Sequence, residues 1–278
     1  MSVTLDGPLA GLSLNTATVR EQWTLAEIIP ACRRFGITGI APWRDQIAHI
    51  GLDETERLIK GEDLTVTGVC RGGMFTWSTD AERQAMLDSN RTAIDEAATL
   101  GAQCLVLVVG GLAPGSKDMP AAREQVAEAL GTLLPEARAA GVTLAIEPLH
   151  PMYAADRACV NMLGQANDLC DLLGDGIGVA VDIYHVWWDP ALATEIARAG
   201  DRILGFHVCD WLVPTTDLLL DRGMMGDGVI DIPAIRAMVE KAGYDGHAEV
   251  EIFSAETWWK KPPEEVLRVC GERYCSVV

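Results

Sequence analysis

The chain has 278 residues, which suits one large α/β domain and lies near the roughly 250 residues of a (β/α)8 barrel. Apolar residues are 49% and charged residues 22%, which excludes a disordered chain. Asp plus Glu number 40 against 22 Lys plus Arg, a formal charge of −18, so the basic footprint of a nucleic-acid or anionic-membrane binder is missing. No charge-free run reaches about 18 apolar residues, so no membrane span is expected. The opening MSVTLDGPLAGLSL has no basic segment ahead of an apolar one; no signal peptide and a cytoplasmic location are expected.

In chain order, the first apolar run is GLSLNT at 11–16, followed by FGITGIAPW after Gly36 and LTVTGVC at 64–70. LGAQCLVLVVGG, AGVTLAIEPL, LGDGIGVAVDI, AGDRILGFHVCD and AGYDGHAEVEIF follow, around Gly101, Gly141, Gly174, Gly200 and Gly243. Gly just past a helix is a left-handed stop signal. Runs apolar on both faces are what a buried parallel strand requires. The spacing predicts eight strands starting near 11, 37, 64, 103, 142, 177, 203 and 247. Segments between them, such as 81–101 and 121–141, place apolar residues at three-to-four spacing, as amphipathic helices do. Eight strands alternating with helices predict a single α/β domain over 1–278, a (β/α)8 TIM barrel. An open doubly wound sheet is the alternative; no GxGxxG or GxxxxGK[ST] follows any strand to support its nucleotide-binding form.

Eight cysteines, Cys32, Cys70, Cys104, Cys159, Cys170, Cys209, Cys270 and Cys275, form no CxxC, and several lie in apolar runs. They read as reduced, buried thiols rather than a disulfide framework or a zinc site.

In such barrels the active site is built at the C-terminal ends of the strands. Four polar residues interrupt apolar runs there: Glu147 ends VTLAIE, Asp182 ends GIGVAVD, His207 ends ILGFH and Glu251 ends HAEVE. Taken singly, each carboxylate could be a helix N-cap or the partner of an Arg. Together, on consecutive strands, three carboxylates would repel one another without a cation. Three carboxylates and an imidazole suit Mn2+, Mg2+ or Co2+ better than a structural zinc.

The pieces AIEPLHP, VAVDIYHVWWD, GFHVCDW, GDGVID and AEVEIF resemble the xylose-isomerase-like TIM-barrel superfamily of sugar isomerases and epimerases. The resemblance runs the whole chain in strand order and is clearest from 142 to 253. It implies that Glu147, Asp182, His207 and Glu251 ligate one divalent metal, Mn2+ first and Mg2+, Co2+ or Zn2+ as alternatives. It also implies that Glu147 and Glu251 flank the substrate as its acid/base pair. It implies substrate contacts for His185, otherwise a polar helix-start residue, and for Arg222 in DRGMMGDG, otherwise a surface partner of Asp221; His150, in the loop after Glu147 where ketose epimerases often carry Asn, would have a pocket role. Ketose epimerases carry a Glu six residues past the first metal Glu; here Tyr153 stands there and Asp156 is the nearest acid.

Isomerising or epimerising a hydroxy-ketone means removing a proton next to a carbonyl, with the developing enediolate stabilised by a metal that holds the carbonyl and hydroxyl oxygens. One carboxylate removes the proton and a second can return it on the other face. The expected function is a metal-dependent isomerase or epimerase of a sugar, inositol or related keto-polyol. A lyase or dehydratase of a keto-inositol or 3-keto sugar uses the same metal and base. An endonuclease IV-type enzyme conflicts with five His and the acidic charge, and a non-catalytic sugar-binding barrel conflicts with four intact ligands. The expected partner is a small sugar or polyol, with no nucleic acid and no membrane; a homo-oligomer stays open.

Trp77, Trp187, Trp188, Trp211, Trp258 and Trp259 fall just past predicted strand ends, where they could wall a sugar site or pack loops onto the rim. Lys260 and Lys261 could face an anionic substrate or form a solvated face. His49 and His247 are expected to do no chemistry, His247 because it opens strand eight at the far end of the barrel.

Overall fold

A computed structural model describes residues 9–278; of the N-terminal stretch read for a leader, residues 1–8 lie outside the described residues. The strands are β1 Leu9–Asn15, β2 Ile37–Ala41, β3 Thr65–Val66, β4 Val69–Gly73, β5 Leu105–Val108, β6 Leu144–Ile146, β7 Ile177–Asp182, β8 Ile203–Val208, β9 Asp210–Trp211, β10 Arg222–Gly223 and β11 Ala248–Val250. The helices are α1 Leu25–Arg34, α2 Arg44–Ile50, α3 Leu52–Gly61, α4 Asp80–Thr99, α5 Met119–Ala139, α6 Leu163–Leu173, α7 Ile183–Val186, α8 Leu192–Ala199, α9 Ile232–Lys241 and α10 Pro263–Val277.

Nine strands form one parallel sheet in the order β3-β2-β1-β11-β8-β7-β6-β5-β4. Its two edges, β3 and β4, are successive pieces of one segment, so the sheet curls round on itself. The Thr67 amide donates to the Ile40 carbonyl at 3.0 Å, Val69 to Cys104 at 3.1 Å and Cys70 to Pro42 at 3.0 Å. This is the expected (β/α)8 barrel, with one difference. The third strand, expected unbroken at 64–70, is split around Thr67 and Gly68, its first piece pairing with β2 and its second with β5.

The helices start and stop where the sequence directs. Thr79 caps α4, its hydroxyl accepting from the Glu82 amide at 3.2 Å while the Glu82 carboxylate accepts from the Thr79 amide at 3.0 Å. Asp118 and Asp231 cap α5 and α9 the same way, at 3.0 and 3.2 Å. The predicted stops Gly36, Gly101, Gly141, Gly174, Gly200 and Gly243 all sit at positive φ, between 56° and 105°.

Strand alternation sorts side chains into two populations. Leu12, Leu14 and Val250 join the main apolar layer with helix residues such as Ile28, Leu130 and Val266. A second, smaller cluster contains Cys70, Cys104, Val106, Ala145 and Ala180. Ser13, Asn15, Thr67, His207, Glu249 and Glu251 are buried polar residues from the same strands. Fully buried carboxylates are rare unless paired, so their concentration here marks a built site. All eight cysteines are free; seven are buried as expected and Cys275 is exposed. Among the described residues no helix is long and apolar enough to cross a membrane.

Candidate active site

Asp182 and His207 stand opposite each other in the β7–β8 ladder. Glu147 and Glu251 each lie one residue past a strand, yet their amides continue the ladders, donating to Leu107 at 3.1 Å and Val208 at 3.2 Å. One ligand atom from each of Glu147, Asp182, His207 and Glu251 lies within 4.8 Å of the other three, and all four residues are buried. The four residues singled out in the sequence therefore converge.

Each member has a partner that fixes it. His207 Nδ1 is 2.9 Å from Glu147 Oε1. Asp182 Oδ1 accepts the Tyr184 amide at 2.8 Å, capping α7, while Oδ2 faces Arg222 Nη1 at 3.1 Å. The ordinary roles of a strand-end Asp, helix cap and Arg partner, are thus both filled by a residue that is also in the cluster. Arg222 Nη1 also donates to Glu251 Oε2 at 3.0 Å, and its guanidinium lies 4.4 Å over the Tyr184 ring. Arg222 does not pair with Asp221, whose carboxylate instead accepts from the Thr216 amide and hydroxyl, both at 2.7 Å.

The electrostatics follow from burial among like charges. Burial, reinforced by Glu147 and Asp182, raises the Glu251 carboxyl to about 8 despite Arg222. Burial also works against charge on Asp182, but Arg222, His185 and His207 outweigh it and hold that carboxyl below its ordinary range. Burial opposes charge on His207 as well; Glu249, Glu147 and Glu251 override it and hold the imidazole well above its ordinary value. His185 is pushed down to about 3, chiefly by burial. Its two ring nitrogens face two donors, the His150 amide at 3.2 Å and Arg222 Nη2 at 3.1 Å. A neutral imidazole has one acceptor nitrogen and satisfies one donor at a time.

The donor chemistry fits a divalent cation. Three carboxylates and an imidazole offer hard, mostly oxygen ligands, and without a cation the cluster holds more carboxylates than Arg222 can neutralise. Beside it lies a cavity of about 380 Å3, lined by Glu147, Glu251, His185 and Arg222 on its polar side. That volume is in the range of small-molecule sites.

None of the six tryptophans singled out lines this cavity; its aromatic wall is Trp43, Tyr153 and Phe253. Trp211 stacks on His150 at 4.9 Å and tilts over Tyr184 at 4.8 Å, Trp187 meets Trp211 at 5.9 Å, and Trp259 meets Phe253 at 5.9 Å. Trp188 is edge-on to His150 at 5.8 Å, Trp77 lies under Arg83, and Trp258 lies under Lys261. These six indoles therefore pack against residues of the rim. The His150 ring stacks in that rim and does not line the cavity. Lys260 and Lys261 pair with Glu256 and Glu265, a solvated face. His247 bonds Thr38 Oγ1 at 3.2 Å.

Trp43 and Glu249 are among the site residues that the sequence reading did not single out. Trp43, one past the end of the IAP run, donates its indole N–H to Asn15 Oδ1 at 2.7 Å and meets Phe253 edge-on at 5.5 Å. Glu249 lies two residues before Glu251 and hence on the same side of the strand. It accepts from Asn15 Nδ2 at 2.8 Å and Thr67 Oγ1 at 2.7 Å, and its Oε1 is 3.7 Å from His207 Nε2. The alternation in HAEVE was the available signal.

The loop carrying Arg222 is pinned by Asp210. Its buried carboxylate accepts amides from Trp211, Gly226, Gly228 and Ile230 at 2.9, 2.9, 2.8 and 3.0 Å. A Cβ at Gly228 would lie 2.2 Å from the Trp211 carbonyl oxygen, so only Gly fits. This ties the CDW and GDGVID pieces together and holds β9 and β10 as a hairpin.

Fold and site place the chain in a class. Residues 29–269 match the family model of the xylose isomerase-like TIM barrel, and the chain belongs to that family. Inosose isomerase of Halalkalibacterium halodurans is 26% identical over 143 residues, 50% of this chain and 49% of that protein, so the match spans about half of the curated relative. Protein SMc04130 of Sinorhizobium meliloti 1021 is 60% identical, with a TM-score of 0.96 over 97% of this chain and 98% of that one. The IolI protein with a bound zinc atom is 20% identical, with a TM-score of 0.82 over 96% and 98% of the two chains, a likeness of fold.

Proposed function

We propose that this chain is a divalent-metal-dependent isomerase or epimerase of a sugar, inositol or related keto-polyol, acting by proton abstraction next to a carbonyl. The observation that carries the reading is the cluster within 4.8 Å whose two glutamates also line the cavity. The inosose isomerase that matches half of this chain supports the substrate class.

Glu147, Asp182, His207 and Glu251 would hold the cation, with Mn2+ proposed from the oxygen-rich donor set and Mg2+, Co2+ or Zn2+ as alternatives. A bound cation supplies positive charge to the carbonyl and neighbouring hydroxyl oxygens of the substrate. Glu147 and Glu251 follow β6 and β11, which have two strands, β7 and β8, between them in the sheet, and both line the cavity. One carboxylate takes the proton from the carbon next to the carbonyl; the other returns a proton, inverting the carbon when it acts on the opposite face. Asp182, kept ionised by Arg222, serves as ligand rather than base. Arg222 adds fixed positive charge where the substrate oxygen becomes negative. Neutral His185 hydrogen-bonds substrate oxygens without adding charge. Trp43 and Phe253 cover the apolar face of the polyol. A lyase outcome would share every step up to the enediolate. We place the enzyme in cytoplasmic carbohydrate metabolism.

The test is a screen of ketoses and inososes in D2O with Mn2+. Deuterium entering the carbon beside the carbonyl of at least one of them supports the reading; conversion with no exchange from solvent in any substrate turned over overturns it.

A further inference from the structure

With 40 acidic against 22 basic residues, an arginine without an acceptor is unexpected. Among the described residues, Arg20, Arg44, Arg57, Arg83, Arg91, Arg198, Arg202, Arg222, Arg236, Arg268 and Arg273 all pair with carboxylates. Arg123 and Arg138 donate to backbone carbonyls. The remaining four are Arg33 and Arg34, exposed at the end of α1, and Arg71 and Arg157, both half-buried in the lining of the active-site cavity.

Both cavity arginines sit on fixed backbone. Arg71 is within β4. The loop holding Arg157 is stitched to the segment after β5: the Gly110 amide donates to the Arg157 carbonyl at 2.9 Å and the Cys159 amide to the Gly110 carbonyl at 2.8 Å. A Cβ at Gly111 would lie 2.4 Å from the Ala155 carbonyl oxygen, so the approach requires glycine. Arg157 lies 5.6 Å over the ring of Tyr153. Tyr153 is only 7% exposed and lines the same cavity, and its hydroxyl has no hydrogen-bond partner among the described residues. A buried hydroxyl left unmatched is destabilising, so a bound group that accepts from it is favoured.

We propose that Arg71, Arg157 and the Tyr153 hydroxyl form a subsite for an oxyanion, a carboxylate or phosphate carried by the keto-polyol. The inference rests on the proposed function and narrows its substrate class. A neutral polyol needs no guanidinium, whereas an anionic one must overcome the −18 charge of the chain and the carboxylates of Glu147, Glu251 and Asp156 in the same lining. Two guanidinium forks match the paired oxygens of either anion. Burial and the like charge of Arg157 both disfavour the Arg71 cation, a cost that a bound anion removes.

The experiment is calorimetric binding of D-fructose, D-fructose 6-phosphate and D-fructuronate to the Mn2+-loaded protein. The three differ at C6, which carries hydroxyl, phosphate or carboxylate. At least one anionic sugar is expected to bind about 10-fold or more tighter than fructose, a charge-assisted difference of about 1.4 kcal/mol. Phosphate ahead of carboxylate, or the reverse, names the anion. Arg71→Gln and Arg157→Gln are each expected to lower the anionic-to-neutral ratio about 10-fold, Tyr153→Phe by less, and Arg71→Lys to recover part of it. Thermal unfolding of each variant monitors folding. Anionic sugars binding no tighter than fructose, none of the three binding, or variants weakening all three equally overturns the subsite. Deuterium exchange in the bound sugars, read separately, reports on the proposed function: anion preference without exchange in any keto-polyol would leave the subsite and remove the isomerase.

Discussion

At the residue scale, the site is a set of groups whose protonation is set against their roles. Glu251 titrates near 8 in the cation-free protein and His207 is held well above its usual range, yet both must lose their protons to ligate a cation. Cation affinity is therefore expected to fall steeply from pH 8 to pH 5, with protons released on binding, as measured by titration calorimetry in buffers of different ionisation heat. An affinity flat across that range contradicts the ligand assignment. The same shift bears on stability. A carboxyl raised from 4.5 to about 8 on folding contributes stability that is present below 4.5 and lost as pH rises through 8. Cation-free Glu251→Gln is thus expected to unfold at a higher temperature than wild type at pH 8 to 9, with the gap closing at pH 5. Glu249 acts one layer deeper: held by Asn15 and Thr67, its carboxylate faces His207 Nε2 and leaves Nδ1 for the cation. Glu249→Ala is expected to lower cation affinity about 10- to 100-fold, by equilibrium dialysis.

At the element scale, the ends of β6, β7, β8 and β11 bring the four proposed ligands together, and rigid loops support them. Asp210 shows how a loop is made as rigid as a strand, since one carboxylate collects four amides across residues 211–230. Asp210→Ala leaves those buried donors unmatched, and a loss of about 3 kcal/mol or more is expected in urea unfolding, with Arg222 freed and turnover falling alongside. A change below about 0.5 kcal/mol, the size of an ordinary surface substitution, would show that other contacts hold the loop. The division between strand and loop also explains what was legible in the sequence. Glu147, Asp182, His207 and Glu251 could be read because each breaks an apolar run at a fixed place in a repeating unit. Glu249 could be read only from alternation, because its partners Asn15 and Thr67 lie 234 and 182 residues away in sequence. For the six tryptophans the sequence left two readings open, site wall or rim packing, because proximity to a strand end does not say which way an indole turns. Arg71 and Arg157 were silent for the opposite reason: what distinguishes them is the lack of a partner, which only the fold reveals.

At the scale of the whole molecule, six glycine stops and eight strand starts were enough to foresee the barrel, because a parallel strand buried on both faces has a composition that few other elements share. The split third strand was not foreseen, since LTVTGVC reads as one continuous apolar run. Closure matters for function because it sets Glu147 and Glu251 at the ends of two different strands, both lining one cavity, with Glu249, Asn15 and Thr67 buried on the neighbouring strand segments. The central claim is that these two glutamates move protons as well as hold a cation. The most direct measurement is deuterium incorporation from D2O into each epimer of a turned-over keto-polyol by Glu147→Gln and by Glu251→Gln, with metal content determined on the same samples. Gln keeps a ligating oxygen and cannot accept the proton, so each variant is predicted to retain metal and to lose about 10^2- to 10^4-fold in turnover. In an epimerase, each is also predicted to keep exchange with one epimer and lose it with the other. Full metal with turnover near wild type in both variants would contradict the account and leave the glutamates as ligands only.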